Sequence, residues 1–265
     1  MLVKFNMEVT NLWEYAFLDN YDHWVNELAE NLSRKERWNY INDYSRHSHP
    51  VLRNYINHTF RRAQELSDNV PNGGYLFVSE NSTCFDTGLF TEKYEPIYAL
   101  FNKKSATAKL DWKFRGFYKE SSREMQHITK LPDRVRYFSD INELYYDTKY
   151  DLRIDMDHIL SDQENFERIP EMHRSLPNLA MVFRGMALQY AIVRIKENYK
   201  SAVPQYFKGK VQFLIPISLG EPSIVDLALA VSRNGDIYTG KTCLTLDMAY
   251  NNARLIARPE TDWLS

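Results

Sequence analysis

Apolar residues recur at helical spacing in the first part of the chain. Leu12, Trp13, Tyr15, Ala16 and Phe17 follow Asn11, and Glu14 three residues later completes a capping-box pattern that opens a short helix. Tyr21, Trp24, Val25, Leu28, Ala29 and Leu32 give a second apolar face, ended by the polar run Arg34-Lys35-Glu36-Arg37. Pro50 suits the first turn of a third helix, whose apolar face is Leu52, Tyr55, Ile56, Thr59, Phe60, Ala63 and Leu66. Asn69-Val70-Pro71-Asn72-Gly73-Gly74 breaks the pattern.

Beyond that breaker the period becomes two. Tyr75 to Ser79, Cys84 to Leu89, Ile97 to Phe101 and Trp112 to Tyr118 read as strands, Ser121 to Lys130 as a short helix and Arg134 to Phe138 as another strand. Ser139 to Glu171 reads as loops with short elements. One long helix is expected from Leu179 to about Tyr199, buried through Leu179, Val182, Phe183, Met186, Ala187, Tyr190 and Val193. Val211 to Leu219 is a strand whose Pro216 asks for an edge or a bulge. Val225 to Arg233 and Asp236 to Leu246 form a hairpin about Asn234-Gly235, and a closing helix capped by Asp247 follows.

These elements predict an α+β fold: a helical N-terminal part, a largely antiparallel sheet, one long central helix, and a C-terminal hairpin followed by a helix. Without a repeat or an evident linker, the chain reads as a single globular domain over 1–265, with a helical section at about 1–70 and a mixed section at about 75–265. No glycine-rich turn between strand and helix supports a parallel nucleotide-binding sheet.

Composition changes this picture little. The 18 Tyr, 14 Phe and 5 Trp are numerous enough to stack on bases, but aromatics are most often core. A net charge of −2 argues against non-specific coating of nucleic acid. Charge is nonetheless blocked: Phe101 to Arg136 holds 10 Lys and Arg against 4 Asp and Glu, and Ser139 to Glu171 holds 3 against 10. The blocks could make a basic face beside an acidic one, or neutralise each other. The N-terminus lacks the apolar run of a signal peptide, no segment is long enough to span a bilayer, and Cys84 and Cys243 are the only cysteines. A cytoplasmic protein with reduced, buried thiols and no membrane partner is expected.

Candidate chemistry is sparse. Phosphate-loop, serine-elbow and zinc signatures are absent from the sequence. In the closing helix Asp247, Asn251, Arg254 and Arg258 fall on one polar stripe, while Met248, Leu255 and Ile256 can face a core; a capped, solvated helix fits the same spacing. Asp155 and Asp157 could ligate Mg²⁺, with His158 beside them as acid or base, or they belong to a solvated acidic loop. Lys196 and Lys200, four apart at the end of the long helix, suit a helix C-terminus or could clamp a phosphate, with Tyr199 or Tyr206 as a stacking surface.

Three stretches together resemble a known family: Asn11 to Leu18, Asn198 to Tyr206, and Leu244 to Ile256, joined by Phe85-Asp86-Thr87-Gly88-Leu89 and Tyr94-Glu95-Pro96-Ile97-Tyr98. They look like the bacterial domain of unknown function 3825, over nearly the whole chain, with Asp86 standing where that pattern has Asn. The resemblance implies RNA or a nucleotide as partner, because members accompany RNA-binding modules. The leading expectation is a hydrolase acting on a phosphoester or phosphoanhydride of an RNA end or nucleotide. Asp247, His158 and Lys200 would act in catalysis, and Lys196, Tyr199, Gln205, Tyr250, Asn251, Asn252 and Arg254 would hold the ligand. The alternative is a module that binds single-stranded RNA or a nucleotide without turnover. A homodimeric interaction protein is a third class, and it would need an exposed apolar patch.

Overall fold

A computed structural model describes residues 9–41, 47–67, 74–104 and 109–264, which places the breaker from Asn69 to Gly73 and the N-terminal residues 1–8 outside the described residues. The chain is α+β and divides into two compact units, Met1–Arg136 and Tyr137–Ser265.

In the first unit α1 is only Leu12–Tyr15, because Ala16 turns extended and β1, Ala16–Phe17, pairs in parallel with a later strand. The capping box is present, with the Asn11 N–H bonded to the Glu14 carboxylate at 2.7 Å. Helix α2, Tyr21–Glu27, continues into a π turn at Leu28–Leu32, and α3, Pro50–Ser67, starts at the proline as expected. The sheet comprises β2 (Leu76–Val78), β3 (Ser82–Phe90), β4 (Pro96–Lys103) and β5 (Trp112–Lys119), in the order β1-β5-β4-β3-β2. Most of its pairing is antiparallel. Phe60 from α3 meets Phe85 at 5.3 Å, and Phe101 meets Phe114 at the same separation, so these aromatics are core. The basic block lies in this unit and is partly neutralised there: Lys113 pairs with Asp19 at 2.7 Å and Lys119 with Glu95 at 3.5 Å.

Two expectations fail between the sheets. Ser121 to Lys130 forms only a 3₁₀ turn at Arg123–Met125, and Arg134 to Phe138 joins no sheet. Val135 and Tyr137 are buried, so the alternation there reports burial without a ladder partner.

The second unit begins with a 3₁₀ turn at Ile141–Leu144 and the short strand β6, Asp151–Ile154. Helices α4 (Met156–Ser161), α5 (Gln163–Arg168) and α6 (Glu171–Arg174) follow. The long helix runs as α7 (Leu179–Val182), a π turn (Phe183–Ala187) and α8 (Leu188–Glu197). Its buried positions are Leu179, Phe183, Ala187, Ala191 and Ile195, every fourth residue. In a pure α-helix such a row drifts by about 40° per step, and the wider π turn offsets part of that drift. Met186 and Val193, expected in the core, are therefore 55% and 60% exposed.

The second sheet is built from β7 (Val203–Phe207), β8 (Lys210–Ile217), β9 (Leu227–Asn234) and β10 (Ile237–Leu244), in the order β6-β10-β9-β8-β7. Only β6 pairs in parallel. Pairing of β7 with β8 stops at Leu214, so Pro216 has a strand neighbour on one side only, and the expected edge is local. The hairpin turn lies one residue later than expected: Asn234 pairs with Ile237, and Gly235, with φ of +62°, turns with Asp236. Phe213, Ile215, Ile217, Leu227 and Leu229 face a core shared with the long helix. On the other face lies α9, Leu246–Ile256, packed against β7, β9 and β10.

Candidate functional site

Helix α9 starts two residues earlier than its charge suggests. Thr245 is its N-cap, with its hydroxyl accepting from the Met248 N–H at 3.3 Å, and this corrects the expected Asp247 cap. Asp247 sits in the first turn, where a carboxylate still favours the helix dipole. The polar stripe is not a solvated face either: Arg254 is 4% exposed, Asp247 and Asn251 are half-buried, and Arg258 is exposed beyond the helix end. The core side is carried by Ala249, Tyr250, Ala253 and Leu255, while Met248 is 37% exposed.

Beneath α9 runs a chain of amides. Asn252 donates to Gln205 at 3.0 Å, Gln205 to Gln212 at 2.9 Å, and Gln212 to the Ser232 hydroxyl at 2.8 Å. Gln205 and Gln212 are directly opposed on β7 and β8, so the strand register builds the relay. Asn252 and Gln205, expected as ligand contacts, thus bind each other and register α9 on the sheet. Neighbouring Asn251 keeps a buried side-chain oxygen without a hydrogen-bond partner.

The long helix ends at Glu197, where Asn198 turns extended and its side chain accepts from the Lys200 N–H at 3.1 Å. Lys196 and Lys200 consequently do not share a helical face. A 3₁₀ turn at Tyr199–Ser201 carries Tyr199 and Lys200 to one wall of a cleft of about 200 Å³. Leu144, Ala202, Val203 and Pro204 continue that lining, and Ala253, Ala257, Arg258, Pro259, Glu260 and Thr261 complete it at the C-terminal end of α9. Tyr199 is 61% exposed, and its ring lies 6.2 Å from that of Tyr145. Among the described residues, neither Lys200 nor Arg258 has a carboxylate within ion-pair distance.

Other expected site residues lie elsewhere. Asp247 lies near the start of α9, about 9 Å along the helix axis from Ala253, the first residue of α9 that lines the cleft, and is not itself part of the lining. His158 is on α4, which follows β6 and packs on β10, at the opposite edge of the sheet from β7. Three to four strand spacings, roughly 14–19 Å, separate those edges. Asp155 is occupied as the N-cap of α4, accepting from the His158 N–H at 3.1 Å, and Asp157 is exposed. Among the described residues no three His, Cys, Asp or Glu gather as metal ligands. Tyr250 and Arg254 are buried and do not line the cleft, nor does Lys196.

Sequence reasoning reached Tyr199 and Lys200 and placed Arg258 on the stripe, but missed Glu260 and Thr261. Pro259 could have marked the helix stop that turns those residues toward the cleft. Both cysteines are free, and burial pushes the thiols of Cys84 and Cys243 up to about 12, so neither is an activated nucleophile.

Among the described residues of the first unit, one carboxyl, that of Asp86, has its pKa raised by burial. The β3 register shifts between Asp86 and Leu89, and Gly88 there has φ of +72°. Asp86, 7% exposed, accepts from the Gly88 N–H at 2.6 Å. Burial raises its pKa to about 6, although the Gly88 bond and Arg134 pull the other way.

The fold and the cleft define an α+β protein with two mixed sheets and a small, cation-rimmed, apolar-walled recess, and none of its described helices is long and apolar enough to cross a membrane. The chain belongs to the DUF3825 family, a domain of unknown function, whose model matches residues 29–263. No curated protein and no solved structure matches it.

Proposed function

We propose that this protein binds a phosphate-bearing ligand, a nucleotide or the end of a single-stranded RNA, in the cleft of its second unit. The observation that carries this reading is the meeting of Lys200 and Arg258 with the exposed ring of Tyr199 at one apolar recess. Two cations suit phosphate oxygens, and an aromatic face beside them suits a base. Binding without turnover has better support than hydrolysis, because Asp247 is outside the cleft lining and His158 stands at the opposite edge of the sheet. Free, buried cysteines also suit a cytoplasmic setting in which thiols stay reduced.

Equilibrium titration with 5′-nucleotides and short RNA oligomers, followed by mass analysis of the recovered ligand, tests this. Lys200→Ala and Arg258→Ala are each expected to weaken binding roughly tenfold, or ~1.4 kcal/mol, with the ligand returned intact. Wild-type affinity in the double variant would remove the cleft from the reading, and a cleaved product would make the protein an enzyme.

A further inference from the structure

The cleft is chemically graded. Lys200 and Arg258 are its cations, and the rest of its mostly apolar lining includes a helix C-terminus, a carboxylate and a threonine. Ala253 and Ala257 belong to the last turn of α9, where the Ala257 N–H bonds the Ala253 carbonyl and the negative end of the helix dipole lies. That end disfavours phosphate and favours N–H donors. Glu260 adds an accept-only carboxylate, and among the described residues no cation lies within ion-pair distance of it. Thr261 is 7% exposed, and its hydroxyl lacks a hydrogen-bond partner. A buried hydroxyl left unpaired is destabilising until a partner reaches it.

Size narrows the choice. At about 200 Å³ the recess is smaller than the roughly 300 Å³ at which drug-sized sites begin, so it holds one base with its sugar at the rim. Resting on the reading that this cleft holds a nucleotide, we infer that the base it selects is guanine. The two carboxylate oxygens of Glu260 match the adjacent N1–H and N2–H donors of guanine, and the Thr261 hydroxyl, once a small shift uncovers it, can donate to O6. Adenine and cytosine place a ring acceptor beside their single amino group, where it would face the carboxylate. Uracil sets its one N–H between two carbonyls, which the carboxylate repels. The phosphate then remains with Lys200 and Arg258, both of which are exposed.

The test is a calorimetric or fluorescence titration of the full chain with the 5′-monophosphates of guanosine, inosine, adenosine, cytidine and uridine. Guanosine monophosphate is expected to bind roughly tenfold tighter than the adenosine, cytidine and uridine compounds, with inosine between because it lacks the N2 amine. Glu260→Gln is expected to bring the guanosine-to-adenosine ratio within about twofold, while its thermal unfolding matches wild type at this exposed position. Equal affinities for all five, weakened alike by Lys200→Ala, would overturn the guanine assignment and leave the phosphate site standing. Binding of none would overturn both.

Discussion

Asp86 shows how one side chain can serve a fold at a cost. Its carboxyl closes the β3 bulge on the Gly88 N–H, in a place that disfavours charge. Asn at this position would offer the same acceptor oxygen without ionising. Because the folded pKa of about 6 exceeds the unfolded value of 3.8, the native state holds more protons between those values, and stability falls as pH rises through that window. The penalty above it is at most about 3 kcal/mol. Asp86→Asn is expected to raise stability at pH 8 by about 1–3 kcal/mol in urea unfolding and to leave it unchanged near pH 4; an unaltered pH profile would show that this carboxyl is not the source. Two residues on, Gly88 has no such latitude. A Cβ at this positive φ would stand 2.6 Å from the Tyr55 hydroxyl, so Gly88→Ala is expected to cost more than about 1 kcal/mol in the same assay.

At the level of elements, α9 matters most, because its N-terminus is set by Thr245 and its C-terminus lines the cleft. Thr245→Ala removes the acceptor for the Met248 N–H and is expected to cost about 1 kcal/mol of stability. Unfolding midpoints indistinguishable from wild type would mean that the cap is supplied elsewhere. Capping does not hold the far end of α9 in place. That end is registered by Asn252 on Gln205 and by the small, buried side chain of Ala253, which lets the helix approach the sheet.

For the whole molecule, the net charge of −2 and a cleft with two cations predict a shallow salt dependence. Two phosphate contacts on a single strand give a slope of about −1.4 in log affinity against log salt. A slope several times steeper would mean that the basic block of the first unit also grips the ligand; several of its lysines are instead paired with carboxylates of their own unit.

Local pattern alone determined much of this protein. Proline at the start of α3, the Asn11 and Glu14 capping box, the alternating strands and the long helix all follow from steric and hydrogen-bonding preferences that act over a few residues. The region of the cleft was legible for the same reason, since Tyr199 and Lys200 end a recognisable helix. Tertiary structure decided the rest. Only packing could reveal that Arg134 to Phe138 lacks a ladder partner, that a π turn rotates Met186 and Val193 outward, or that Gln205 spends its amide on Asn252. Only strand order could put His158 and Lys200 at opposite edges of one sheet, because separation in space is set by pairing between distant segments, which no local spacing encodes.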